Sequence, residues 1–188
     1  TDSSPPQVYG WGRNVYSVIG LGEASASTPA PIRCSDFEAL PGVYEVACGQ
    51  SHTLFLRKNP NGPGGEVFGC GLGNRGRQGY PNPEADDDDT PEVEDIWDVR
   101  RPKPIPVAGV AIMRVVCGAD HSMVLDVHGL IYAWGQNGNG QCGVGRSGDV
   151  LEAERVVMPT NKGRQVLVAH MAAGSQHSMF VSAKDGGM

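Results

Sequence analysis

Apolar positions along this chain come in short runs that glycine or proline cuts off. Val8 to Gly12, Val43 to Cys48 and His52 to Leu56 are the first three, and later runs start at Val67, Val115, His121, Ile131, Met171 and His177. Alternation with β-branched and aromatic residues predicts strands. Helical periodicity is weak throughout, and Asp95 to Val99 is the one place with room for a helical turn. Many short strands between glycine and proline turns predict an all-β chain. Glu23 to Pro31 is small, polar and proline-containing, which predicts a loop, with a short edge strand at Ile32 to Cys34. Lys58 to Gly65 reads as a long hairpin tip.

The runs repeat. A strand ending in a glycine recurs as VYGWG, VFGCG and IYAWG, with marks at Trp11-Gly12, Cys70-Gly71 and Trp134-Gly135. A second glycine follows eight residues after each first one, at Gly20, Gly79 and Gly143. A second motif alternates with the first: small-Gly-x-x-His-Ser/Thr-apolar, with His52, His121 and His177. Repetition at this period marks a repeat architecture. The boundaries are an extension over 1–7 and repeats over 8–66, 67–130 and 131–188, the second interrupted by an insertion over 80–106.

IYAWGQNGNGQCG, followed by a proline-bearing segment and a Gly-x-x-His-Ser-Met strand, resembles the repeat of the regulator of chromosome condensation family. The resemblance covers nearly the whole chain. It departs at Cys70, where the family favours tryptophan, and at Val15-Tyr16-Ser17, where the first copy lacks the glycine cluster. It implies a β-propeller, usually of seven blades with four antiparallel strands each, so the fold expected is three four-stranded blades of such a ring. The sequence stops after Met188 where a fourth Trp-Gly strand is due, and it opens on TDSSPPQ without a methionine. The expectation is therefore a piece of a longer propeller, or one chain of a ring assembled from several. Its open blade edges need covering by further blades or by other chains.

Composition narrows the functions. Gly and Pro are abundant, at 27 and 14, yet the glycines are periodic with apolar strands between them, so the chain is not a disordered one. A net charge of −6 argues against broad nucleic-acid affinity. No apolar run has the length of a membrane-spanning helix. The five cysteines include no Cys-x-x-Cys pair, and Cys48, Cys117 and Ala173 share one place in the repeat. That exchange predicts small buried thiols, reduced, in a reducing compartment such as cytoplasm or nucleus, an organelle being compatible too.

The repeated histidines invite a metal or a catalytic base. One per repeat at the same place instead predicts a structural group that hydrogen-bonds backbone, because buried polar groups need partners. Trp11 and Trp134 read as blade-packing residues, and His128 and His170 as surface residues. The serine or threonine after each histidine points to the opposite face of its strand, which is wrong for a nucleophile–base pair. The glycine turns lack the Lys-Ser/Thr ending and following helix of a phosphate loop. No cofactor, metal or catalytic residue is expected.

Repetition leaves one feature unexplained. Glu84 to Asp98 holds nine carboxylates and no basic residue. It lacks the spaced ligand pattern of a calcium loop. Asp86, Asp87, Asp88, Asp89, Glu92, Glu94 and Asp95 predict a docking segment for a basic partner, with Ile96 and Trp97 as its apolar anchor. The favoured function is a non-catalytic protein-interaction scaffold. The alternative that the resemblance implies is guanine-nucleotide exchange on a Ran-like small GTPase, the activity of the family's founding member.

Overall fold

The computed structural model describes residues 6–22, 24–34, 41–80, 98–107 and 109–183. The protein is all-β and its sheets are antiparallel. Strands β3 (Val43–Cys48), β4 (His52–Lys58), β5 (Gly65–Leu72) and β6 (Asp98–Pro104) pair in that order as one blade. Strands β7 (Ile112–Cys117), β8 (His121–Asp126), β9 (Ile131–Gly135) and β10 (Val150–Arg155) form the next. A two-stranded sheet of β1 (Tyr9–Asn14) and β2 (Ser25–Arg33) precedes them. A small hairpin of β11 (Thr160–Asn161) and β12 (Arg164–Gln165) follows, then a two-stranded sheet of β13 (Val168–Ala173) and β14 (Ser178–Ser182). This is a partial propeller.

Repeat and blade are out of step by two strands. A sequence repeat begins on the third strand of one blade, such as β5, and ends on the second strand of the next, β8. Among the described residues, three repeats therefore give two whole blades between two half-blades. Each repeat straddles a blade junction, so the covalent chain itself joins neighbouring blades. The inner strands β3, β7 and β13 lie beside one another in turn. Apolar side chains of adjoining blades interlock: Leu54, Leu56 and Val67 share a core with Ile112, Val115 and Val124. Strand β8 is buried at every position because it has a neighbour strand on each side and a blade on each face.

Two stretches differ from the sequence-based expectation. Glu23 to Pro31 was expected as a loop, yet β2 runs through Pro29 and Pro31. In the expected insertion, β6 runs through Pro102 and Pro104. Both are outer strands, and an edge strand tolerates the missing N–H that excludes proline from a sheet interior. Strand β6 also takes in Asp98 and Val99, where a helical turn had room; residues 95–97 lie outside the described residues.

The first copy's missing glycine leaves a strained turn. Gly76 and Gly140 adopt φ of +73° and +75°, and Ser17 at the equivalent place adopts +58°. Ser17 is fully buried and its hydroxyl has no hydrogen-bond partner. A left-handed serine and an unpaired buried hydroxyl each cost about 1 kcal/mol or more, which outweighs the chain entropy a glycine adds to the unfolded state. Ser17→Gly is expected to stabilise the chain by about 1 kcal/mol, read as a higher thermal midpoint.

Candidate functional site

The repeated polar side chains meet at the blade junctions. In each Gly-x-x-His turn the glycine N–H donates to the histidine carbonyl, from Gly49 to His52 and from Gly118 to His121 at 2.8 Å and from Gly174 to His177 at 2.9 Å. The tight turn folds each ring back over its glycine. His52 Nε2 lies 2.9 Å from Ser122 Oγ of the next blade, and His121 Nε2 lies 2.8 Å from Ser178 Oγ. The serine hydroxyls donate onward to turn carbonyls, Ser122 to Arg77 O at 3.2 Å and Ser178 to Gln141 O at 2.8 Å. Thr53 makes the same bond to Val18 O at 2.7 Å. Val18, Arg77 and Gln141 each stand six residues after the Trp/Cys-Gly glycine, so the acceptor repeats too.

This geometry fixes proton positions. The serine proton is committed to a carbonyl, so the histidine must donate from Nε2, as the neutral Nε2–H tautomer. Nδ1 of both rings is buried without a hydrogen-bond partner. Burial pushes the His52 pKa down to about 3, with Arg77 assisting and Asp120 opposing. Burial also lowers that of His121, against the pull of Asp120. The histidine is thus a donor to the serine. A base that activates a nucleophile must accept the hydroxyl proton, and here the direction is reversed. The rings also sit in successive blades, each turned to its own serine, so they do not converge on one centre.

The remaining sequence marks fall around these joints. Trp134 is fully buried and its Nε1 donates to Arg77 O at 2.9 Å. Cys70, in the tryptophan's place in the preceding repeat, directs its thiol to Val18 O at 3.4 Å. The thiol is a weak donor to the equivalent carbonyl, which gives a physical account of that departure from the repeat pattern. Gly71 is the penultimate residue of β5, and Gly135 closes β9. Trp11 and Gly12 lie in β1, where Trp11 is exposed. His177 is exposed, as are His128 and His170.

Three readings need correction. Trp11, expected to pack a blade as Trp134 does, is exposed on β1. The side chains of His52 and His121 bond a serine of the neighbouring blade, whereas backbone partners were expected, and His177 is exposed. The shared cysteine place is not uniformly buried: Cys48 is exposed, and Cys117 is half-buried with its thiol directed to Ala47 O at 3.4 Å. All five cysteines are free, and burial pushes the thiols of Cys70 and Cys117 far above their usual range.

Sequence reasoning missed the Ser/Thr links, although a hydroxyl after every histidine was a visible signal. It also missed the ion pair of buried Arg77 with Asp120, at 2.8 Å across the junction; no equivalent place repeats either residue. Asp86, Asp87, Asp88, Asp89, Glu92, Glu94, Asp95, Ile96 and Trp97 lie outside the described residues.

Comparison with known proteins gives the same repeat. The ultraviolet-B receptor UVR8 of Arabidopsis thaliana is 29% identical over 178 residues, covering 93% of this chain and 35% of the receptor. The probable E3 ubiquitin-protein ligase HERC3 of Homo sapiens is 28% identical over 92% of this chain and 14% of its own length. The chain thus spans about a third or less of these relatives. Among solved structures, Prp20p from Saccharomyces cerevisiae superposes with a TM-score of 0.76 at 20% identity, over 95% of this chain and 40% of that one. Human WBSCR16 gives 0.72 at 23% identity, over 97% and 41%. The family model for the regulator of chromosome condensation repeat matches residues 7–56, 64–125 and 128–181. Those three segments carry the glycine, histidine and hydroxyl positions that join the blades, and the chain belongs to the regulator of chromosome condensation (RCC1) repeat family.

Proposed function

We propose that this chain is part of a non-catalytic protein-interaction scaffold whose partner docks on the acidic segment. The observation that carries the reading is the direction of the junction hydrogen bonds. His52, His121, Ser122 and Ser178 are committed to joining blades, so the repeat marks supply rigidity and recognition falls to segments outside the repeat. The carboxylates Asp86 to Asp89, Glu92, Glu94 and Asp95 form such a segment in the sequence. A cluster of one sign attracts a basic partner and speeds encounter, and Ile96 with Trp97 supplies the apolar contact that holds it. Protein partners are also what structural neighbours have: Prp20p binds Gsp1p and histones, and Kap60 has been seen bound to it.

Replacing Asp86, Asp87, Asp88 and Asp89 together by asparagine is expected to weaken capture of a basic partner at least tenfold at low salt and to flatten its salt dependence. Capture unchanged in strength and salt slope would discard the docking segment. Accelerated nucleotide release from a Ran-like GTPase, measured on the longest available form of the protein, would replace the scaffold by an exchange factor.

A further inference from the structure

Asparagine is followed by glycine at Asn61-Gly62, Asn137-Gly138 and Asn139-Gly140. Such a pair is chemically labile. Glycine has no Cβ to shield its amide nitrogen, so that nitrogen can reach the carboxamide carbon of the asparagine before it. Asn59 lacks this opening, because it precedes Pro60, whose nitrogen carries no proton. The fold treats the three pairs differently. Asn137 is fully buried. Its Nδ2 donates to Arg146 O at 2.8 Å and to Gly148 O at 3.1 Å, and its Oδ1 accepts from Cys142 N at 2.9 Å. Asn139 is exposed, but Gly140 N, the atom that would attack, donates to Asn137 O at 3.0 Å. Asn139 N is also held by Gln141, and its Nδ2 by Gln176. Asn61 and Gly62 are both exposed, at the tip of the hairpin β4–β5. Asn61 N donates to Asn59 Oδ1 at 2.8 Å. Among the described residues, no hydrogen bond holds the Asn61 carboxamide or the Gly62 N–H. A Cβ at Gly62 would meet only Asn59 Nδ2, at 3.6 Å, so the tip is unpacked.

We infer that Asn61 is a site of spontaneous modification, converting through a succinimide to isoaspartate and aspartate, and that the fold shields Asn137 from the same chemistry. The Gly62 nitrogen gives its proton to solvent base and attacks Asn61 Cγ. The new N–Cγ bond closes a five-membered imide, the Cγ–Nδ2 bond breaks, and ammonia leaves with a proton from solvent. Water then opens the ring. Breaking the N–Cγ bond leaves aspartate in a normal chain, and breaking the bond from nitrogen to the former main-chain carbonyl leaves isoaspartate. Nothing is oxidised or reduced, and water is the one co-reactant. The isoaspartyl product carries a free α-carboxylate, the group that a protein-isoaspartate carboxyl methyltransferase methylates. Strand β4 runs from His52 to Lys58, so the tip lies at the far end of the blade from the His52 joint. The modification therefore adds a negative charge and a lengthened backbone without loosening the blades. It stands whether or not the acidic segment binds a partner.

The three pairs serve as one another's controls. The folded chain is aged at neutral pH and body temperature, and each site is followed by peptide mass spectrometry, with isoaspartate scored by enzymatic carboxyl methylation. Asn61 is expected to convert about tenfold or more faster than Asn137, which reacts only when its loop opens, with Asn139 between them. In urea the three are expected to convert at comparable rates, since the same pair is then equally exposed at each. Gly62→Ala is expected to slow conversion of Asn61 about tenfold or more by crowding the attacking nitrogen, and to leave the thermal midpoint unchanged because the open tip accepts the methyl group. Conversion at Asn61 no faster than at Asn137 in the folded chain overturns the proposal. The same order of rates in urea as in the folded chain overturns the shielding by the fold. Aspartate without isoaspartate, or conversion unaffected by Gly62→Ala, overturns the succinimide route.

Discussion

Gly118→Ala is expected to destabilise the chain by about 3 kcal/mol or more. A Cβ at Gly118 overlaps the edge of the His121 ring and comes within 2.6 Å of the Gly174 carbonyl of the next blade. Neither neighbour is free to yield. The ring is fully buried and held through Nε2 to Ser178, and the carbonyl belongs to the turn that holds His177. Gly118 does not adopt a positive φ, so the requirement is space alone. Gly138 provides the control, because a Cβ there meets nothing within 4 Å and its φ is also ordinary. Gly138→Ala is expected to be neutral or stabilising by up to about 1 kcal/mol through the unfolded chain. Urea midpoints of the two variants decide the matter, and equal midpoints contradict close stacking at the blade junction.

Acid is expected to loosen the same joints. His52 titrates near 3 when folded and near 6.5 when unfolded, so between those values the unfolded chain binds more protons. Stability from this group is complete above about pH 6.5 and falls as pH drops toward 3, by up to about 1.4 kcal/mol per unit. His121 acts in the same direction. Carboxylates add their own pH dependence, so the informative quantity is a difference between variants. His52→Phe is expected to be less stable at pH 7, since it loses the bond to Ser122, and to lose less on going to pH 4.5. The difference in stability should shrink by about 2–3 kcal/mol over that range. Parallel stability curves contradict a neutral, buried His52.

The sequence showed the all-β class and the repeat because both rest on local signals. Glycine after a strand, histidine three residues after glycine and alternation of apolar positions are each contained in a short window. The phase between repeat and blade was harder to read. It depends on the outer strands, and β2 and β6 carry prolines that look like loop residues until one knows that each lies at an edge. The junction chemistry was half visible. His52, His121 and His177 stood out, but the serine partners of His52 and His121 are 70 and 57 residues away, in the next blade, and no local rule pairs them. The adjacent hydroxyl was weighed only as a nucleophile, whereas its periodic recurrence was itself the signal of a link. Arg77 and Asp120 had no such signal, since Val18 and Gln141 hold the arginine's place in the other repeats. Cys70 looked like erosion of the tryptophan mark, yet it directs a donor to the carbonyl place that Trp134 serves one blade further on.

His52 and His121 each bind one blade to the next through a serine of the neighbouring blade. A double-mutant cycle with His52→Ala and Ser122→Ala, measured by urea unfolding, isolates that bond from the cavity each substitution leaves. A coupling of about 1–2 kcal/mol across the junction is predicted. Strictly additive effects would show that the two side chains do not hold the blades together.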